Sequence, residues 1–145
     1  MTRQPELPDH LPEILARATE SIEAGFERIT RERHDLSRTE WRVLAHLGSH
    51  GELTAARIGE MSGLHKTKLS RAVGLLRGRG LIVRQVIPAD RRNARLSLSP
   101  EGQIVHDDLA AEAARFEETL LLRLSEEERR TLAAALRNLV LPEPA

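Results

Sequence analysis

From Leu11 to about Thr30, apolar side chains recur at steps of three and four, at Leu11, Ile14, Leu15, Ala18, Ile22 and Phe26, with acids and arginines between them. That spacing predicts an amphipathic helix, with Asp9 as its N-cap and the charged run "RERHD" as its exit. The stretch "SRTE", Ser37 to Glu40, has capping-box spacing: the serine accepts from the third amide and the glutamate reaches back. A short helix through Trp41, Val43, Leu44 and Leu47 should follow and stop near Gly48 and Gly51. Thr54 then caps a third helix, "AARIGEMSG", with Ala56, Ile58 and Met61 turned to a core and Gly63 at its end. A fourth begins close to His65. Its Leu69, Val73 and Leu76 share one face, while Lys66, Thr67, Ser70, Arg71 and Arg77 fall elsewhere around the cylinder. Two short helices joined by a tight glycine-containing turn, the second basic on its outer side, make a helix-turn-helix pattern.

After Gly80 the period changes. "LIVRQVI" is compact and β-branched, and "ARLSLS" alternates apolar with polar, so the pair predicts an antiparallel hairpin with "PADRRN" at its tip. Ser99 and Pro100 supply an N-cap and first-turn proline for a long helix. In it Ile104, Val105, Leu109, Ala113, Phe116, Leu120 and Leu121 keep helical spacing to about Leu124. Ser125 and Glu128 repeat the capping box, and Leu132, Leu136 and Leu139 line a last helix. The predicted fold class is mainly α with a small β-hairpin wing, without internal repeats.

Charge changes this picture from a fold to a function. The 145 residues carry 22 basic and 22 acidic side chains. Residues 62–100, however, hold nine basic side chains and the single acid Asp90, while the segments on either side are net acidic. A positive block set in an otherwise acidic chain is the footprint of a polyanion site; the plainer reading is a solvated basic surface. Cysteine is absent, which removes disulfides, thiolate metal sites and thiol switching. The polar start "MTRQPELPDH" and the lack of a long apolar run predict a cytoplasmic protein without a membrane span.

A recognition helix needs donors near its N-terminal end and an apolar face to anchor it. His65, Lys66, Thr67, Lys68, Ser70 and Arg71 supply the first, and Leu69, Val73 and Leu76 the second. Arg71 is chemically suited to guanine in the major groove. The hairpin tip is narrow enough for a minor groove, whose negative potential attracts arginine. Arg92 is the expected insert, with Asp90 holding its guanidinium extended by a charge-assisted pair, and Arg91 and Arg95 meet phosphates. Alternatively, Asp90 and Arg92 simply close the hairpin.

On "LSRTEWRVLAHL", "TAARIGEMSGLHKTKLSRAVGLLRGRGLI" and above all "DRRNARLSLSPEG", the chain resembles the MarR family of bacterial transcriptional regulators. The resemblance runs from about Leu36 to Gly102. It implies one MarR-like domain over residues 1–145, with a winged helix-turn-helix core at about 36–100 and dimerisation helices at about 9–30 and 100–141. It further implies a homodimer on double-stranded DNA, with recognition helices in successive major grooves and wings beside them. Pairing also has a physical warrant, because the flanking helices carry more apolar stripe than so small a domain covers internally. Leu11, Ile14, Leu120, Leu121, Leu132, Leu136 and Leu139 are the expected contacts. The resemblance also implies a repressor on a pseudo-palindromic operator, released by a small, often aromatic, acid. It places Phe26, Trp41, Arg42, His46 and His106 in the effector cleft, although Phe26, Trp41 and Phe116 also suit plain core positions.

His46 and His50 stand at i, i+4 spacing, but Gly48 interrupts it and no third ligand is apparent, so neither metal nor other cofactor is expected. The motifs G-x-S-x-G, Walker A, the dinucleotide fingerprint and H-E-x-x-H are all missing, so no enzyme is expected. The competing reading is an architectural DNA binder or protein-contact module without ligand control.

Overall fold

A computed structural model describes residues 9–142, with the side chains of Arg91 and Arg92 outside the described residues. Six helices and three strands follow in the order α1 (Leu11–His34), α2 (Arg38–His50), β1 (Leu53–Thr54), α3 (Ala55–Ser62), α4 (Lys66–Gly78), β2 (Ile82–Ile87), β3 (Asp90–Leu98), α5 (Pro100–Leu121) and α6 (Glu126–Asn138). The expected fold class is the observed one. The chain divides after Ala110 into two compact units.

Within the first unit, α2, α3, α4 and an antiparallel sheet of order β1-β3-β2 enclose one core. Leu36, Val43, Leu44, Ile58, Leu76 and Leu109 are all fully buried in it. The caps form as predicted. Ser37 and Glu40 make a reciprocal capping box at α2, and Thr54 accepts from the Arg57 amide at α3. Ser99 Oγ accepts from the Gly102 amide at 3.0 Å and donates to the Gly80 carbonyl at 2.6 Å, pinning the start of α5 to the turn before β2.

Several boundaries differ from the expectation. The N-cap of α1 is His10 rather than Asp9, without a side-chain cap bond. The helix continues past Thr30 to His34 because a basic last turn suits the negative end of the helix dipole. Asp35, in the left-handed region at φ 52°, closes it by donating its amide to the Arg31 carbonyl. α2 runs through Gly48 to His50, and position 48 requires glycine because the His106 ring stands where a β-carbon would be. Gly48 therefore does not interrupt the His46–His50 spacing. Ala56 is exposed instead of facing the core, because the short α3 turns Ile58 and Ser62 inward. β3 begins at Asp90, so the tip shrinks from "PADRRN" to Pro88 and Ala89. β1, whose Leu53 and Thr54 pair with Leu96 and Arg95, was not predicted.

Two ionic clusters tie α1 to its neighbours. Arg38 bonds Glu20 at 2.8 Å, Glu23 at 3.3 Å and Glu27 at 3.2 Å, and its amide also donates to Glu27 at 3.0 Å. Asp108 of α5 accepts from Arg33 at 2.6 and 2.9 Å and lies 2.7 Å from His34 Nε2. Arg79, capping α4, donates to the carbonyls of His34 and Asp35 at 2.6 and 3.1 Å. The end of α1 is thereby tied both to α5 and to the end of α4.

Hydrogen bonds from Arg33 and His34 hold the Asp108 carboxyl well below the usual aspartate range. A carboxyl depressed in the folded state stabilises fully above its unfolded pKa of about 4, and that contribution declines as pH falls through the folded value. The thermal midpoint should therefore drop below pH 4, and by less in Asp108→Asn, which starts lower at pH 7. Melting curves from pH 7 to pH 2 check this.

In the second unit, α6 begins with the predicted capping box of Ser125 and Glu128. α5 ends at Leu121, three residues before the expected Leu124. Arg129 Nε takes the terminal carbonyl of Leu121 at 2.7 Å, and the chain tightens through Leu122–Leu124. No residue of α6 is buried, and its Leu132 and Leu136 are exposed, as is Leu139 at its C-cap. Among the described residues no helix is long and apolar enough to cross a membrane.

Candidate nucleic-acid interface

The helix-turn-helix consists of α3, a turn and α4. Gly63 makes the turn possible: at φ 69° it adopts the left-handed conformation that glycine favours, and its amide donates to the Gly59 carbonyl. His65 caps α4, its Nδ1 accepting from the Thr67 amide at 3.4 Å. Leu69, Ala72 and Leu76 then bury one face of the helix. The opposite side, with Lys66, Thr67, Lys68, Ser70 and Arg71, is exposed. The burial difference follows from the 3.6-residue period: anchoring at 69, 72 and 76 turns 67, 70 and 71 outward. Hydroxyls, ammoniums and a guanidinium thus stand together on a rigid rod, beside a helix N-terminus suited to anions.

The wing follows from the β2–β3 hairpin. Asp90 accepts from Asn93 Nδ2 at 2.5 Å, closing the strand end. The expected roles of Arg91 and Arg92 fall on side chains outside the described residues. Arg95 is exposed and sits opposite Gln85 and Thr54, whereas Arg84 pairs with Leu96 and so lies on the other face of the sheet.

The residues expected at an effector cleft are partly gathered. Phe26 and Trp41 have ring centroids 5.8 Å apart, and Trp41 stacks on His106 at 5.9 Å and 29°. His106 Nδ1 lies 3.1 Å from Asp107. His46 stacks on His50 at 6.2 Å instead. Burial, with the charges of Arg42 and His50, lowers the His46 pKa and favours its neutral ring. Arg42 commits its guanidinium to the Ser62 carbonyl at 2.6 Å. Among the described residues no cluster of three or more His, Asp or Glu could hold a metal.

Sequence reasoning missed the groove between α4 and the wing, which Arg77 and Arg84 share. The strand register that turns Arg84 inward has no local sequence signal.

The MarR family model matches residues 34–93, the segment that contains the helix-turn-helix and most of the wing. No relative is found among curated protein sequences. Among solved structures, a probable transcriptional regulator from Pseudomonas aeruginosa is 28% identical, with 93% of this chain and 100% of that chain covered and a TM-score of 0.78. A MarR family regulator from Silicibacter pomeroyi is also 28% identical, covering 94% of this chain and 96% of that chain, with a TM-score of 0.81. BpsR of Bordetella bronchiseptica, whose DNA binding is regulated by 6-hydroxynicotinic acid, shares the fold at a TM-score of 0.83 but only 19% identity, over 97% of this chain and all of that one. With its exposed, anchored α4, its three-stranded wing and these matches, the chain carries a MarR-type winged helix-turn-helix over residues 34–93 and is similar to transcriptional regulators of that family.

Proposed function

We propose that the protein is a homodimeric repressor that binds a pseudo-palindromic operator and is released by a small aromatic acid. The observation that carries DNA binding is the exposed donor set at the front of α4, held rigid by Leu69, Ala72 and Leu76. Lys66, Thr67, Lys68, Ser70 and Arg71 enter the major groove, Asp90 and Arg92 at the start of β3 serve the minor groove beside the wing tip, and Arg91 and Arg95 meet phosphates.

Dimerisation is supported by apolar side chains left in solvent within each unit. Leu11 and Ile14 of α1 are about half exposed, at 50% and 49%, and α6 with its C-cap exposes Leu132, Leu136 and Leu139. A second copy covering these residues removes that area from water and sets two α4 helices one DNA turn, roughly 34–36 Å, apart.

Ligand release is supported by the column of Phe26, Trp41 and His106, a surface on which a planar aromatic ring can stack, and by the regulation of BpsR. Trp41 is the sole tryptophan, so its fluorescence reports the site. Titration with 6-hydroxynicotinate and related aromatic acids should change that emission and release bound DNA at the same concentrations. Emission that never responds while DNA is released would place the effector elsewhere.

A further inference from the structure

His46 and His50 belong neither to the α4 surface nor to the column of Phe26, Trp41 and His106. Their spacing of four residues lies within one unbroken helix, because α2 runs through Gly48 to His50. Val43, Leu44 and Leu47 are buried and hold α2 in place, and positions 46 and 50 fall one above the other on the flank of that face. The two rings are stacked, with centroids 6.2 Å apart and planes 18° from parallel. His46 is half-buried and His50 is exposed. Among the described residues neither imidazole takes part in a hydrogen bond or an ion pair, so ring nitrogens of both are open to a ligand.

The chemistry of the pair narrows that ligand. Burial, with the charges of Arg42 and His50, keeps the His46 ring in the neutral form that binds metals. An ion bonded at about 2.0–2.1 Å to one nitrogen of each ring bridges a gap of this size after a small rotation of the exposed His50. Imidazole suits copper, nickel and zinc, whereas magnesium and calcium seek oxygen. Arg42, one turn before His46, sends its guanidinium to the Ser62 carbonyl at 2.6 Å. Its charge limits the affinity for a cation without occupying the ring nitrogens. Among the described residues no group of three or more His, Asp or Glu could hold a metal, so water fills the remaining positions and the site is open and exchangeable, unlike a closed structural zinc site.

We propose that His46 and His50 form a two-histidine site for one divalent ion of the copper, nickel and zinc group. The site does not depend on the DNA-binding reading given above. The helix fixes the donor spacing in advance, which an unfolded chain does not, so the ion binds the folded protein selectively and stabilises it. Cu²⁺ should bind most tightly of the three.

The test compares wild type, His46→Gln and His50→Gln, with His10→Gln as a control at an exposed histidine outside the pair. Cu²⁺ affinity is measured by calorimetry, and electron paramagnetic resonance at less than one equivalent of Cu²⁺ counts the nitrogen ligands. Wild type and His10→Gln should bind alike and show coupling to two imidazole nitrogens. Each variant of the pair should bind at least about tenfold more weakly and show fewer nitrogens. Zn²⁺ should raise the thermal midpoint of wild type and leave that of His50→Gln unchanged. His50 is exposed, so His50→Gln decides the matter even if the half-buried His46 does not tolerate glutamine. Wild-type Cu²⁺ affinity and nitrogen coupling in His50→Gln would overturn the proposal, as would an equal loss in His10→Gln or a wild type that binds no Cu²⁺.

Discussion

Gly102→Ala should destabilise the protein by about 2–5 kcal/mol, although glycine in a helix is ordinarily improved by alanine. A β-carbon at Gly102 would stand 1.8 Å from the Leu81 carbonyl oxygen and 2.9 Å from its carbon, which are backbone atoms with no rotamer to yield. The obstruction lies where three hydrogen bonds converge. The Ser99 amide donates to Leu81 O at 3.0 Å, Ser99 Oγ donates to Gly80 O, and the Gly102 amide donates to Ser99 Oγ. Moving α5 away to admit the methyl strains these bonds as well as the packing. Gly74→Ala is the control. Nothing lies within 4 Å of its β-carbon position, so the ordinary propensity gain of about 1 kcal/mol should appear there. Urea unfolding of the two variants beside wild type checks both signs. A stabilised Gly102→Ala protein would mean that α5 does not start against the Leu81 backbone.

The second large effect is on binding. Arg71→Ala should cost about 1–3 kcal/mol in affinity for the preferred duplex, roughly 5- to 150-fold, by the usual worth of a base-edge contact. Its guanidinium is exposed on the outer side of α4, away from the buried Leu69, Ala72 and Leu76, so stability should change little. Loss of a base contact narrows the gap between specific and scrambled DNA, whereas loss of a phosphate contact such as Arg95 should weaken both alike. Titrations of both duplexes at one salt concentration separate these behaviours. An Arg71→Ala protein with full preference would move base reading to another residue of the α4 front.

Local chemistry made most of the fold readable. The capping boxes at Ser37 and Ser125 and the caps at Thr54 and Ser99 involve partners within three residues, so the sequence alone locates those starts. The apolar face of α4 was readable for the same reason. The features that escaped depend on distant partners. β1 is two residues long and exists through pairing with β3 some forty positions later. Gly48 reads as a helix stop until the His106 ring from α5 is seen to fill its β-carbon position. The Asp108 cluster joins groups 74 and 75 residues apart. Arg84 belongs to the groove through the register Arg84–Leu96, which no periodicity in β2 announces. The positive block around α4 was visible as a charge asymmetry, but its division into an outward face and a groove required the structure.

The most direct test of the central claim is the binding of wild-type protein to the DNA upstream of its own gene and to a scrambled duplex of equal length, across a salt series. A regulator of this kind should prefer the upstream DNA by about a thousandfold or more near physiological salt, and its affinity should fall steeply as salt rises. Equal affinity for both duplexes at every salt concentration would contradict operator recognition and leave an architectural DNA binder in its place.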